Sequence, residues 1–273
     1  MDIDSLFGVK GKVVLVTGGS RGIGKMIATG FVRNGAKVFI SARSAKDCES
    51  TAVELNKLGP GSCIPVPADL QKLEEVHKLV NFVSEKEKVL HVLVNNAGAT
   101  WGDSIDSYSD QAWSKLLTLN VQRVFTLTQK LLPLLRAAAE QAGHESDGSW
   151  KDPARIINIG SINGERVPGM ETYAYSASKA ALHQLSKHLA LRLGSEGITS
   201  NVLACGPFES KMMAHTLRTA KDIVVAGLPM GRIGSPQDVA GASIWLSSKA
   251  GAWVTGATIP VDGGHLVFTT TKL

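Results

Sequence analysis

Tyr175 and Lys179 stand four residues apart in Tyr175-Ser176-Ala177-Ser178-Lys179, which puts a phenol and an ammonium on one face of a helix, one turn apart. A free tyrosine keeps its proton up to a pKa of ~10, and a neighbouring cation favours the phenolate. The pairing therefore predicts a phenol brought down toward the neutral range for acid-base work. Ser161 follows an apolar run at 154–160 and offers a hydroxyl that can hydrogen-bond a substrate oxygen. Further upstream, the apolar run Val13-Val14-Leu15-Val16 leads into Thr17-Gly18-Gly19-Ser20-Arg21-Gly22-Ile23-Gly24 and then into a helical pattern. Glycines in such a turn let the backbone approach a pyrophosphate, which sits on the positive end of the following helix. Gly18, Ser20, Arg21, Gly22, Ile23 and Gly24 are the residues placed for that contact.

Two arginines select between dinucleotides. The second apolar run closes Ile40-Ser41-Ala42-Arg43, where an NAD site usually carries an acid for the adenosine ribose. No acid stands there. Arg43, with Arg21 in the glycine turn, suits a 2′-phosphate, so the expected cofactor is NADP(H).

These groups need a frame that gathers them. Seven short Val/Ile-rich runs, at 12–17, 36–41, 62–68, 90–95, 154–160, 198–204 and 257–261, alternate with stretches of helical spacing. Several runs are apolar on both faces, as parallel strands covered by helices on both sides must be. The expected fold is α/β: a single doubly wound Rossmann-type domain over residues 1–273, built on a seven-stranded parallel sheet with helices on both faces. The carboxyl ends of parallel strands line one crevice, which collects the glycine turn, Asn95-Asn96-Ala97-Gly98 and Ser161 on one edge. Trp113, Leu116, Leu117, Asn120, Val121 and Val124 form a core-facing helical stripe whose polar member is Asn120. That Asn reads either as part of the site or as a buried amide satisfied by backbone. Ser235-Pro236-Gln237-Asp238 starts another helix, expected to run through Trp245. Residues 141–152 read as an exposed loop, and 208–232 as an irregular lid.

Composition removes other classes. With 44% hydrophobic and 19% charged residues, and a mean hydropathy of +0.06, the chain is too apolar for disorder and has no run near the ~18 residues of a membrane span. No secretory leader is readable at the start, so a cytoplasmic location is expected. The final Thr271-Lys272-Leu273 is one residue from a peroxisomal address. Cys48, Cys63 and Cys205 match neither a disulfide framework nor a zinc site and read as buried, inert thiols, with no metal expected. The 29 Lys plus Arg against 24 Asp plus Glu give +5, but the basic residues are scattered, which disfavours nucleic acid.

Taken together, these motifs resemble the short-chain dehydrogenase/reductase family, from about residue 11 to residue 264. The resemblance implies Asn120, Ser161, Tyr175 and Lys179 as a catalytic tetrad. It implies Asp69 and Leu70 as adenine-side contacts, and Asn95 to Gly98 as a sheet-stabilising and cofactor-lining motif, with Asn96, Ala97 and Gly98 lining the cofactor site to which Tyr175 and Lys179 also belong. Where the family usually has Pro-Gly after the sixth strand, this chain has Cys205-Gly206-Pro207-Phe208-Glu209-Ser210, which assigns Phe208 and Ser210 to the nicotinamide side. Thr100-Trp101-Gly102, Ala180-Ala181-Leu182-His183 and Ile259-Pro260-Val261-Asp262-Gly263-Gly264 are similar to the β-ketoacyl reductase branch of the rhamnolipid-pathway kind. That branch implies reduction of a 3-oxoacyl thioester to a secondary alcohol. Glu196, just before Gly197-Ile198, occupies a position where carrier-protein reductases tend to place a docking arginine, which argues against an acidic carrier. A free aromatic, alicyclic or xenobiotic ketone is the alternative substrate. A catalytically silent dinucleotide-sensing regulator is the rival of another class, disfavoured by the intact tetrad. Family members commonly assemble as homotetramers or homodimers, and the apolar segment 253–267 suits a subunit contact.

Overall fold

A computed structural model of the chain describes residues 2–268, so the Thr271-Lys272-Leu273 ending lies outside the described residues. Seven parallel strands build one sheet: β1 (Val13–Thr17), β2 (Lys37–Ser41), β3 (Ser62–Pro65), β4 (Val92–Asn95), β5 (Ala154–Ser161), β6 (Ile198–Cys205) and β7 (Thr258–Val261), in the order β3-β2-β1-β4-β5-β6-β7. Every residue of β1, β4, β5 and β6 is buried, which is why these strands read as continuous apolar runs rather than alternating ones. Each face carries its own core. One gathers Val14, Val16, Ile27, Phe31, Ile157 and Leu203, and the other Leu15, Leu79, Leu93, Leu131, Ile156 and Leu189.

The helices run α1 (Ile3–Phe7), α2 (Gly22–Arg33), α3 (Ala45–Leu55), α4 (Leu73–Lys86), α5 (Asp110–Leu117), α6 (Arg123–Ala142), α7 (Tyr173–Leu193), α8 (Ala214–Ala226) and α9 (Pro236–Ser247). Helix α9 starts at the expected Ser235, whose side chain and that of Asp238 cap each other's backbone. A π-helical turn, Thr118–Gln122, joins α5 to α6. Its wider winding interrupts the regular stripe: Asn120 and Val124 are buried, while Leu117 turns outward and is 40% exposed.

Two regions are more ordered than their sequence implies. Residues 143–152 fold back as a tight hairpin, with His144 bridged to Trp150 and Glu145 N donating to Ser149 O at 2.8 Å. Trp150 anchors it, since a Cβ on Gly197 would lie 2.6 Å from its indole. The expected lid contains α8, kinked at Ala220. No described α8 residue is buried, so no apolar stripe announces this helix.

Candidate active site

The strand order reverses between β1 and β4, and the crevice beyond the carboxyl ends of these two strands is where an open α/β sheet binds ligands. Thr17 ends β1 and ties the two strands together. Its hydroxyl accepts from Asn96 N at 2.9 Å and Ala97 N at 3.0 Å, while Asn96 Nδ2 donates to Thr17 O at 2.8 Å and Gly18 O at 3.1 Å. Gly18 (φ 65°) and Gly22 (φ 53°) adopt the left-handed backbone that glycine permits. A Cβ on Gly24 would lie 2.3 Å from Gly18 O, so only glycine lets α2 start this close to the strand edge. No side chain caps the first turn of α2, and that turn holds no acid, which leaves its amides and its positive end to an anion.

The residues assigned to this cofactor face contribute in different ways. Ser20 is buried, and its carbonyl accepts from Thr51 Oγ1 at 2.9 Å, which ties the turn to α3. Ile23 packs its side chain on the core, so it offers the crevice only its backbone. Arg21 and Arg43 are exposed, and neither takes part in an ion pair among the described residues. Asp69 Oδ1 accepts from Gln71 N at 3.1 Å, and Leu70 is buried in the core. Phe208 is likewise buried, its ring packed so closely that a Cβ on Gly234 would lie 2.3 Å from it. It too offers backbone only, whereas half-buried Ser210 approaches the turn, 3.1 Å from where a Gly22 Cβ would stand.

Deeper in the crevice the tetrad residues converge. Ser161, the last residue of β5, places its hydroxyl beside the Tyr175 phenol, and its Oγ accepts from Asn163 N at 3.2 Å. Lys179 Nζ lies 5.7 Å from the centre of the Tyr175 ring and donates to Ile159 O at 2.7 Å. Asn120 is satisfied entirely within the protein: Oδ1 accepts from Ala99 N, and Nδ2 donates to Ala99 O and Ser178 Oγ, each at 3.0 Å. Ser178 Oγ in turn donates to Tyr175 O at 2.7 Å, so the amide fastens the loop after β4 to the first turn of α7. Gly98 sits between Asn120 and Lys179, at 3.2 and 3.8 Å from a hypothetical Cβ. Thus Asn120 and Lys179 approach one another across Gly98, and Tyr175 links them to Ser161.

The electrostatics depart from the sequence expectation. Burial pushes the Tyr175 phenol above its ordinary value, with the neighbouring Ser161 hydroxyl pulling in the opposite direction. The proximity of Lys179 does not reverse this, and burial acts on the ammonium as well, bringing Lys179 down to about 8. Near neutral pH the site therefore presents a protonated phenol, the form that can donate a proton. Cys205, where the family usually has Pro, is buried beside both groups, and burial pushes its thiol up to about 12. Cys63 is pushed to about 12 as well, and all three cysteines are buried and free, inert as expected. Among the described residues no cluster of His, Cys, Asp and Glu is arranged to hold a metal, and no helix is long and apolar enough to cross a membrane.

Sequence reading places Asn95 as a sheet-stabilising residue but misses Asn158 and Ser186, its partners in a polar column below the site. Asn95 Nδ2 donates to Asn158 Oδ1 at 2.9 Å, and Asn158 Nδ2 to Ser186 Oγ at 3.0 Å, which links β4, β5 and α7 within the core. An Asn in the middle of an apolar strand was its signal. Above the site, Glu171 joins the loops that follow β4 and β5: its Oε2 accepts from Ile105 N and Tyr173 OH, each at 2.8 Å.

Comparison with known proteins agrees with this geometry. Residues 12–221 match the family described as short chain dehydrogenase. The chain is 46% identical over 263 residues to the rhamnolipids biosynthesis 3-oxoacyl-[acyl-carrier-protein] reductase of Pseudomonas aeruginosa, covering 95% of this chain and 98% of that one. It is 32% identical over 257 residues to a 3alpha-hydroxysteroid dehydrogenase of Mediterraneibacter gnavus, covering 93% and 97%. Among solved structures it superposes on the Pseudomonas aeruginosa RhlG/NADP active-site complex with a TM-score of 0.88 and 44% identity, covering 96% of this chain and 99% of that chain. With the switch-point crevice, the glycine turn and the converging tetrad in place, the chain belongs to the short-chain dehydrogenase family.

Proposed function

We propose that this protein is an NADPH-dependent reductase that converts a ketone to a secondary alcohol, with a 3-oxoacyl thioester as substrate. The observation that carries the reading is the juxtaposition of the Ser161 hydroxyl, the Tyr175 phenol and a buried Lys179 at the edge where the glycine turn opens. Gly18, Gly22 and Gly24 with the first turn of α2 would hold the pyrophosphate, and Arg21 and Arg43 the 2′-phosphate. Asp69 and Leu70 would border the adenine, and Asn96, Ala97, Gly98, Phe208 and Ser210 the nicotinamide half. When bound, NADPH supplies the hydride. Tyr175 gives its proton to the developing alkoxide, Ser161 donates a hydrogen bond to the same oxygen, and the Lys179 charge helps the phenol release its proton. Asn120 holds the site loops together with its amide.

The acyl reading is supported by the relatedness to the Pseudomonas reductase and by exposed apolar side chains, Trp101, Ile105, Val167 and Met170, on the two loops stitched by Glu171. A second reading, reduction of a free ketone, is favoured by Glu196. It is paired with Arg136 and Arg192 at 2.6 and 2.5 Å, which engages both guanidiniums within the protein and reduces the positive charge offered to an acidic carrier. We also propose self-association, for which Trp253, 96% exposed, is the natural apolar contact.

The test is NADPH oxidation with a 3-oxoacyl thioester, on carrier protein and on coenzyme A, beside a panel of free ketones. Tyr175→Phe should lower kcat about a hundred- to ten-thousand-fold with NADPH binding retained. Retention of wild-type turnover by that variant would refute the proton-donor assignment, and preference for free ketones would select the second reading.

A further inference from the structure

His183 lies one helical turn beyond Lys179 on α7, only 6% exposed, and nothing in the reductase chemistry uses it. Its surroundings are built around the imidazole. A Cβ on Gly160 would stand 2.4 Å from His183 Nε2, and one on Gly164 2.8 Å from Cε1, so the ring occupies space that two glycines leave open on either side of Ser161. Nε2 accepts from Ser161 N at 3.4 Å.

The reason for this bond is in the strand pairing. Strand β4 stops at Asn95, opposite Asn158, three residues short of the end of β5. Arg155 N donates toward β4, to His91 O, and the period of two along a strand puts Ile159 and Ser161 on that same side. Beyond Asn158 that side of β5 has no strand partner, and α7 replaces it. Lys179 donates to Ile159 O, and His183 accepts from Ser161 N. Because Nε2 accepts, the ring proton resides on Nδ1, which faces Glu165 Oε1 at 3.8 Å. Burial, followed by the charges of Lys179 and Lys187, brings the imidazole down to about 4, so it is neutral and that contact is not an ion pair.

We propose that His183 is a positioning residue for the reduction: by holding the Ser161 amide it fixes the last residue of β5, and hence the hydroxyl that meets Tyr175. This rests on the reductase reading for its kinetic consequence, and on the strand geometry alone for the bond. His183→Gln and His183→Met test it, a pair similar in length that differ in whether an acceptor is present near the Nε2 position. Hydrogen–deuterium exchange of the Ser161 amide, read at single-residue resolution, should accelerate about five-fold or more in the Met variant and less in the Gln variant. Turnover should follow: kcat falls about five- to ten-fold in His183→Met, with NADPH Kd and thioester KM little changed, and Gln recovers most of it. In a Ser161→Ala background the Met substitution should cost nothing further, since the residue acts through that hydroxyl. Unchanged Ser161 exchange in the Met variant, equal kcat loss in Gln and Met, or a full additional loss in the Ser161→Ala background would each overturn the proposal. Absence of ketone reduction by the wild type would instead refute the reductase reading, and the exchange measurement would still judge the bond.

Discussion

Lys179 is a charge held where the fold would be more stable without one, and its replacement measures that cost. The side chain is 6% exposed, and burial moves the ammonium from 10.5 to about 8. A difference of that size corresponds to ~3 kcal/mol at any pH where both folded and unfolded chains are protonated. Lys179→Met fills similar volume without the charge, so it removes this penalty at pH 7. It also leaves Ile159 O without its donor, which costs about 1–2 kcal/mol. The net expectation is a variant about 1–2 kcal/mol more stable than wild type at pH 7 and without reductase activity. The sign with pH is a sharper check. Between about 8 and 10.5 the unfolded wild-type chain binds a proton that the folded one has released, so wild-type stability gains a rising component over that window that the Met variant lacks. The advantage of Met at pH 7 should therefore shrink by ~3 kcal/mol toward pH 10.5 and reverse. Urea denaturation of the cofactor-free protein at several pH values measures both quantities. A Met variant less stable than wild type at pH 7, or a difference that does not vary with pH, would show that the buried ammonium is already compensated and the reasoning wrong.

The other predictions concern the opposite edge of the sheet and the cofactor. Asp152 binds Lys12 Nζ at 2.5 Å and the Arg155 guanidinium at 3.0 Å, and these cations are 8% and 1% exposed. Asp152→Ala leaves both buried without an anion and should destabilise by about 3–5 kcal/mol in urea denaturation. A loss below ~1 kcal/mol would mean that the main-chain acceptors of Arg155, Leu246 O and Ser248 O, suffice. For the cofactor, Arg21→Ala and Arg43→Ala should each raise the KM for NADPH about ten-fold and leave that for NADH nearly unchanged. Comparable use of NADPH and NADH by the wild type would refute the pairing of these arginines with a 2′-phosphate.

What was legible in the sequence is what burial on both faces of a sheet makes legible. All seven strands fall within about three residues of their expected limits, and β1, β4, β5 and β6 do so because apolar residues fill them whichever way a side chain points. Parallel connection then obliges Thr17, Asn95, Ser161 and Cys205 to end on one edge, which is why a site spread over almost two hundred residues could be assembled from one-dimensional spacing. Helix α8 was not legible because it buries no described residue and so has no stripe. The outward turn of Leu117 was hidden for a different reason: a π-helical turn changes the winding and leaves no mark in composition. Nor did the clamp at Asp152 show, since Lys12 lies 140 positions away and reads as one more scattered base.

The chemistry of Tyr175 shows where spacing stops being informative. Four-residue spacing brings the ammonium near the phenol, and from that alone the phenol should become more acidic. Whether it does depends on how both groups are solvated, which is set by residues far away in the chain: Ser161 and Cys205 at the ends of β5 and β6, Asn120 in its π-helical turn, and His183 behind the strand. In the folded protein burial acts on both groups and favours the neutral form of each, so the phenol rises while the ammonium falls to about 8. The shift keeps the phenol protonated and also weakens it as an acid, so the transfer depends on what stabilises the phenolate as charge develops. A phenol brought down to the neutral range would already have lost part of its proton before a ketone arrived, whereas one held above its ordinary value keeps it until negative charge develops on the substrate oxygen. At that moment the Lys179 charge, retained below about 8 at the energetic cost set out above, acquires an anion to stabilise. The same burial that makes Lys179 a liability to the fold is therefore what makes its charge effective in the reaction, because a cation in a poorly solvated site acts on a developing anion with little screening from water.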